Sequence, residues 1–314
     1  YENSGYLDEY DSETFTIKGE KKIKLTNSFS YGYGSDYKYD WGAFENRGSY
    51  NASTKGHVKD LSFFGNIGYK ISENTILSLY GRTDDHNVTG QHKTYKVNFG
   101  KKIDKFKFGL THSTGLKNAS LYELYGNTGQ KNINPEKSET NEIIAEYHFS
   151  ENIKLNSTAY RTRMKDRIKI KSDWSGYENK IPDTTQEGLE NEIIFSGNDQ
   201  SISVTSHFAK SRTATGGPNS RRPDLSYGID YSKKFNVSDY GPFNLNLSHR
   251  YIGEHIDWTG SKNEFVKSVD LLEMTIRKKW YGNTISLNFT NLLNERYEKP
   301  GTYSQNGRAI RFGF

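Results

Sequence analysis

The chain has 314 residues, a formal net charge of +5 and a hydrophobic fraction of 32%, which is below the apolar content of an ordinary globular domain. Aromatic residues are nevertheless abundant, with 23 Tyr and 17 Phe, and there are 29 Gly. No apolar run approaches the ~20 residues of a membrane-spanning helix, so a helical membrane protein is excluded. The lack of cysteine excludes thiolate metal sites and cysteine nucleophiles. The small, scattered net charge does not indicate a nucleic acid partner.

The most regular feature of the sequence is the alternation of apolar and polar residues that is typical of β-strands. In segment 243–251, for example, Phe, Leu, Leu, His and Tyr alternate with Asn, Asn, Ser and Arg. The polar positions of such segments are rich in small Ser, Asn, Thr and Gly residues, which indicates the wall of a wet lumen. The alternation predicts about fifteen strands, near 13–21, 23–33, 60–71, 75–84, 93–102, 105–116, 139–150, 153–169, 187–197, 200–212, 224–235, 243–254, 268–280, 283–293 and 307–314.

The connections between these strands are alternately short and long. Short connections are predicted at 20–23, 72–74, 102–105, 150–153, 197–200, 236–242 and 281–283. Long polar connections are predicted at 34–59, 84–92, 118–138, 171–186, 213–223, 255–267 and 294–306. This pattern predicts an all-β fold, a transmembrane antiparallel up-and-down β-barrel with short periplasmic turns and long extracellular loops. We expect residues 1–314 to form one barrel domain.

Two features suggest that the barrel is incomplete. Bacterial barrels close with an even number of strands, whereas about fifteen are predicted. Residues 1–6 also show neither the basic nor the apolar region of a signal peptide, from which we expect a removed export signal or an internal start.

Four motifs, in order from about residue 60 to the end, resemble those of a known family. They are ASLYELYG at 119–126 followed by NINPEKSE at 132–139, RRP at 221–223, NFTNLLNERY at 288–297, and GR at 307–308 with the terminal Phe314. These segments are similar to the motifs of the TonB-dependent outer-membrane transporters, particularly the vitamin B12 and siderophore receptor branch.

The resemblance implies a receptor in the bacterial outer membrane that binds a large, scarce ligand and transports it into the periplasm. Cobalamin, a ferric siderophore or a similar metal complex would be the ligand, and TonB would act through a plug domain. Barrels of this family have about 22 strands, so we expect the chain to be the C-terminal part of the barrel. The plug and about seven strands would then lie in the same or a separate chain. Outer-membrane lipid and lipopolysaccharide are the expected surroundings.

Candidate ligand-binding residues lie in the predicted extracellular loops and are mostly aromatic or basic. They are Tyr122, Tyr125, Asn127, Trp174, Arg221, Arg222 and Trp258. The tyrosines of the 118–138 loop have two interpretations: they contact a bulky ligand at the mouth, or they anchor the loop to the rim.

No cofactor and no catalytic residue are predicted. Calcium in the extracellular loops is an alternative to simple solvated charge for the carboxylates at 8–13 and 84–85. A passive porin-type channel built from a smaller complete barrel is the alternative function. A barrel enzyme would need an acid–base pair, for which Asp230 and His207 are the candidates, although no sequence rule brings them together.

Overall fold

The structure is a computed structural model that describes residues 7–47, 52–180, 183–213, 216–258, 262–298 and 303–314. Within these ranges it contains nineteen strands, one α-helix (α1, Leu121–Tyr125) and one 3-10 helix (Ser238–Tyr240). The strands are β1 (Leu7–Lys24), β2 (Phe29–Arg47), β3 (Ala52–Ser72), β4 (Thr75–His86), β5 (Gly90–Ile103), β6 (Phe106–Lys117), β7 (Glu136–His148), β8 (Ile153–Lys165), β9 (Arg167–Ile170), β10 (Tyr177–Lys180), β11 (Thr184–Ser196), β12 (Gln200–Thr213), β13 (Leu225–Val237), β14 (Gly241–Ile252), β15 (His255–Trp258), β16 (Asn263–Val266), β17 (Val269–Trp280), β18 (Asn283–Thr290) and β19 (Ala309–Gly313). Neither described helix is long and apolar enough to cross a membrane.

Fifteen of these strands form one sheet. Its order is β1-β2-β3-β4-β5-β6-β7-β8-β11-β12-β13-β14-β17-β18-β19, so each strand lies beside its neighbour in the chain once the inserted hairpins β9–β10 and β15–β16 are set aside. The described registers are antiparallel throughout. The predicted fifteen-stranded antiparallel meander is therefore confirmed.

The prediction of a first long connection at 34–59 is wrong, because β2 and β3 occupy most of this segment. The first turn follows β1 and does not lie at 20–23. Polar residues in this stretch are paired with their neighbours: Lys38 Nζ lies 2.7 Å from Asp40, and the Thr14 hydroxyl donates to Asp40 across the β1–β2 pair at 2.8 Å. Since these pairs satisfy the polar groups within the sheet, a polar composition does not end the strands.

Other predicted loops also contain regular structure. Within segment 84–92, only residues 87–89 separate β4 from β5. The strand predicted at 153–169 is interrupted at Asp166, whose φ of 54° ends β8 before the β9–β10 hairpin. Segment 255–267 contains the β15–β16 hairpin.

The cross-strand register separates an apolar face from a polar face of the sheet. On the β3–β4 pair, Ile67 lies opposite Leu79, and both side chains are exposed, at 42% and 40%. On the other face Ser62 lies opposite Asp84, and both are buried. A continuous row of exposed aliphatic side chains is unfavourable in water and indicates a non-aqueous environment for the apolar face.

The chain divides into two compact units. The first comprises Tyr1–Lys101, Gly109–Asn141 and Thr162–Thr184, and the second comprises Lys102–Phe108, Glu142–Arg161 and Thr185–Phe314. The expected single domain over residues 1–314 stays a prediction.

The polar face of the first unit carries a partly buried ionic network centred on Arg82. Its guanidinium donates two hydrogen bonds to Asp36, at 2.8 and 3.1 Å, and one to Asp84 at 2.7 Å. Ser62 donates to the same Asp84 oxygen at 2.7 Å. Asp84 therefore belongs to a strand and is only 6% exposed, so the interpretation of this carboxylate as solvated loop charge is wrong. Paired hydrogen bonds compensate its loss of water.

Candidate functional site

Helix α1 begins at a capping box inside the loop between β6 and β7. The Ser120 hydroxyl accepts a hydrogen bond from the Glu123 backbone N–H at 3.2 Å, and the Glu123 carboxylate accepts from the Ser120 backbone N–H at 2.7 Å. Each residue thereby satisfies a backbone donor of the other, which fixes the start of this five-residue helix.

One side of α1 is buried against the polar face of the first unit. Leu124 is only 2% exposed and packs with Val58 of β3 and with Ala119. Partly buried side chains surround this small core: Val88, Leu121, Tyr125 and Ile168. The loop is therefore held against the sheet by its own apolar residues.

Tyr125 anchors α1 to β3. Its ring occupies the space above Gly56, where an added Cβ would overlap the ring atoms. Its hydroxyl donates to the His57 carbonyl oxygen at 3.0 Å. Burial raises the pKa of the Tyr125 phenol, which keeps the hydroxyl protonated as that donor.

Tyr122 lies in an aromatic cluster with Tyr10, Phe44 and Tyr177. Ring centroids are 5.5 Å apart for Tyr122 and Phe44, 5.7 Å for Tyr122 and Tyr10, and 6.4 Å for Tyr122 and Tyr177, all edge to face. These arrangements are favourable for aromatic quadrupoles. Burial first, and then the neighbouring Tyr122 and Glu123, raise the pKa of Tyr177. Strands, helix and hairpin of the first unit thus meet in one aromatic surface.

The second half of the loop is clamped by Asn179 of β10. Its side-chain oxygen accepts from the Asn134 backbone N–H at 2.8 Å, and its amide donates to the carbonyls of Asn134 and Asp166 at 2.8 and 2.7 Å. Pro135 and Ile133 beside this clamp are buried. The NINP motif is therefore a docked segment, not a free loop.

A cavity of about 210 Å³ lies between the start of this loop and strands β2, β3 and β4. The Asp60 Oδ1 atom is buried and has no hydrogen-bond partner among the described residues. The His86 Nδ1 atom accepts the Thr89 backbone N–H at 3.1 Å, which leaves Nε2 as the protonated nitrogen. The remaining lining is Lys38, Asp40, Val58 and residues 118–121.

The described residues contain no group of three or more His, Asp or Glu side chains that could hold a metal ion. The calcium alternative stays a prediction.

The remaining predicted site residues of the first unit are exposed. Asn127 follows Gly126, the residue that caps the C-terminal end of α1. Trp174 lies in the turn between β9 and β10, is 67% exposed, and has a φ of 61°. Neither belongs to the aromatic cluster.

In the second unit, Arg221 is fixed by the β15–β16 hairpin. Its Nε donates to Asp257 Oδ1 at 2.6 Å, and its backbone N–H donates to the Ile256 carbonyl at 2.7 Å. Asp257 is fully buried, so the Arg221 guanidinium compensates the charge of a carboxylate that has no contact with solvent. Arg222 is exposed, and the side chain of Trp258 lies outside the described part of the structure.

The C-terminal motif at 288–297 is a turn built by asparagine side chains. The Asn291 amide donates to the Glu295 carbonyl at 2.9 Å and to the Asn306 carbonyl at 3.2 Å, and its oxygen accepts from the Glu295 N–H at 2.9 Å. Asn294 accepts from the Arg308 N–H at 3.0 Å. The motif therefore connects the end of β18 to the start of β19.

Four side chains that contact the 118–138 loop were not predicted as site residues: Tyr10, Phe44, Tyr177 and Asn179. No helix was predicted within the 118–138 loop, although the Ser-x-x-Glu spacing at 120–123 is a helix-start signal that could have indicated α1. No local signal identifies the other four, because their contacts depend on strand register and on the position of the β9–β10 hairpin.

The antiparallel sheet with one exposed apolar face defines the class of transmembrane β-barrels of the outer membrane. A family described as TonB dependent receptor-like, beta-barrel, matches residues 1–292. The chain belongs to this family, and its location is the outer membrane of Gram-negative bacteria.

Solved receptor structures share the fold at low sequence identity. The siderophore receptor PirA from Acinetobacter baumannii has 16% identity and a TM-score of 0.78, covering 96% of this chain and 54% of its own. The ferric enterobactin receptor PfeA from Pseudomonas aeruginosa, as its Q482A mutant in complex with enterobactin, has 16% identity and a TM-score of 0.79 with the same coverage. The FrpB iron transporter from Neisseria meningitidis (F3-3 variant) has 13% identity, a TM-score of 0.77 and again 96% and 54% coverage. The chain thus spans about half the length of these receptors.

Proposed function

We propose that this protein binds a bulky ferric chelate of the siderophore class at its extracellular side and passes it into the periplasm. Support comes from the family and from the structural neighbours, which are named as siderophore receptors or iron transporters. These names favour a ferric siderophore over cobalamin. TonB supplies the energy through a plug, and the plug and further strands, in the same or a separate chain, complete the receptor.

The aromatic cluster is the observation that carries the ligand-binding part of this proposal. The Tyr122 ring is 37% exposed and the Tyr10 ring 54% exposed, although both are fixed by neighbouring rings. Fixed aromatic rings offer a large contact area at little entropic cost, which suits a bulky, partly apolar chelate. The adjacent cavity adds the charged groups of Lys38 and Asp40, which suit polar substituents of such a ligand.

We infer that the protein is a receptor and not an enzyme or a passive channel. Asp230 accepts two hydrogen bonds from Arg250, at 2.9 and 2.7 Å, while His207 is 2.8 Å from the Tyr160 hydroxyl. The two proposed catalytic groups are thus each engaged with another partner. The match to the receptor family favours a receptor over a passive porin-type channel.

Uptake by iron-starved cells tests the proposal. The protein is expressed from its native gene in a host without its own siderophore receptors, with and without TonB. Cells receive radioactive iron bound to enterobactin or to a hydroxamate siderophore, or labelled cobalamin. We expect TonB-dependent uptake of a ferric chelate and no uptake of cobalamin. TonB-independent uptake would instead indicate a channel, and uptake of cobalamin alone would overturn the ligand class.

A tyrosine variant pair tests the location of the site. Tyr122→Ala removes a ring of the aromatic cluster, and we expect ligand binding to weaken about 10-fold. Tyr281→Ala is the matched control, because Tyr281 is 88% exposed in the turn between β17 and β18. Equal binding by both variants would show that the aromatic cluster does not contact the ligand.

A further inference from the structure

A groove crosses β5, β6, β7 and β8 on the first unit, near the ends of these strands that lie opposite the β5–β6 and β7–β8 turns. Its volume is about 500 Å³, and its basic lining residues are Lys93 of β5, Lys137 of β7, and Arg163 and Lys165 of β8. All four side chains are exposed. Thr114, Gly115 and Leu116 of β6 line the groove between them.

The basic residues share a face with the apolar residues deeper in the same strands. On β5, Lys93, Tyr95, Val97 and Phe99 alternate with polar-face residues, and Val97 lies opposite Leu79 of β4. The order along this face is therefore basic, aromatic, then apolar. That is the order of headgroup, interface and hydrocarbon in a membrane.

Counting residues along the strands places these side chains at a similar height above the short-turn ends. Lys93 is ten positions from the short-turn end of β5, Lys137 eleven from that of β7, and Lys165 twelve from that of β8. With a rise of about 3.3 Å per residue and a tilt of about 40°, ten to twelve positions span about 25–30 Å. The apolar band of an outer-membrane barrel is about 25 Å tall, so the lysines reach the headgroups of the outer leaflet.

The groove has an excess of positive charge. Arg163 is paired with Asp183 at 2.6 Å, and Glu139 is the single carboxylate among the described lining residues. None of the three lysines has an ion-pair partner within the described ranges. Ammonium groups at headgroup level are attracted to anionic lipid.

We propose that this basic groove binds the phosphorylated sugar headgroup of an outer-leaflet glycolipid. The lysine ammonium groups contact the phosphates, and the apolar residues below them contact the acyl chains. The inference rests on the outer-membrane location and not on the transported ligand. Its test uses no siderophore, so its failure would leave the proposed transport function untouched.

Binding of purified protein in detergent to diphosphorylated lipid A is the direct measurement. Replacing Lys93, Lys137 and Lys165 together by Gln should weaken binding about 100-fold, given a contribution of about a factor of 5 for each basic group at a membrane surface. Dephosphorylated lipid A should bind no better to the native protein than to this variant. A migration shift on heating in SDS gels shows that each variant is folded.

Two further variants distinguish a specific effect of the groove from a general loss of positive charge or of folding. A control with K21Q, K101Q and K278Q loses the same charge at the short-turn ends of strands, at positions two residues away from an apolar residue of the same strand, and should bind as the native protein does. Glu139→Gln removes the carboxylate of the groove and should strengthen binding several-fold, a gain that misfolding cannot produce. Equal loss in both triple variants, an unchanged Glu139→Gln affinity, or full competition by inorganic phosphate would overturn the proposal.

Discussion

Gly56 lies directly beneath the ring of Tyr125, and this contact determines whether α1 can dock on β3. A Cβ at Gly56 would overlap the ring, and β3 is held at this position by its pairing with β2, where Gly56 lies opposite Gly42. We therefore expect Gly56→Ala to displace Tyr125 and release α1. The substitution should not destabilise β3 itself, since Ala is at least as favourable as Gly within a strand.

The cost of displacement follows from the contacts of Tyr125. Partial burial of the ring contributes about 1–2 kcal/mol, and the hydrogen bond to the His57 carbonyl contributes about 1 kcal/mol. Losing about 2–3 kcal/mol shifts the equilibrium between docked and released α1 about 30- to 150-fold.

Limited proteolysis of outer-membrane preparations measures this shift. Lys131, whose ammonium lies 5.1 Å from the Tyr125 ring centroid, is a trypsin site within the loop. Its cleavage rate should rise by the same factor when opening precedes cleavage. Gly81→Ala on β4 is the matched control, because an added Cβ there meets nothing within 4 Å. Equal cleavage of the two variants would refute the docking role of Gly56.

Three further changes test the contacts that fix the loops. Asn179→Ala removes the clamp on Asn134, and we expect about 10-fold faster cleavage in the same assay, without effect on the heat-induced gel shift. Asn291→Ala loses three hydrogen bonds at a φ of 50°, so the temperature of that gel shift should fall; an unchanged temperature would contradict the role of this turn. Arg221→Ala removes the guanidinium that donates to the buried Asp257 carboxylate and should loosen the β15–β16 hairpin by about 2–4 kcal/mol, measured by hydrogen exchange. Asp257→Asn, which removes the charge, should loosen it less, and the reverse order would contradict the pairing.

The strands were predictable wherever one face is plainly apolar, as in segment 243–251, which forms β14. The prediction failed in β2 because its polar-face positions include Gly34, Asp36 and Asp40, which have the composition of a loop. The hydrogen-bond partners of these polar side chains come from other strands; Arg82 of β4, for example, donates to Asp36. Alternation within one segment cannot reveal a partner that arrives from β4.

The candidate site was predictable only in part, for the same reason. The family motif located the loop, and the capping box at 120–123 marks α1. Neither indicates that Tyr10 reaches Tyr122 or that Asn179 closes on Asn134, because both contacts arise from register and from an inserted hairpin. Long-range geometry, and not local propensity, brings these side chains together.

The two interpretations of the tyrosines in the 118–138 loop describe two different residues. Tyr125 is the anchor, since its hydroxyl bonds to the strand backbone and its ring fills the space over Gly56. Tyr122 lies one helical turn earlier; its ring contacts the rings of Phe44, Tyr10 and Tyr177, lies beside Gly126 and has an exposed edge. The positions i and i+3 of one helix point to the same side but reach different neighbours. Anchoring by Tyr125 therefore holds Tyr122 in place. A ligand can contact the Tyr122 ring while Tyr125 stays docked on β3.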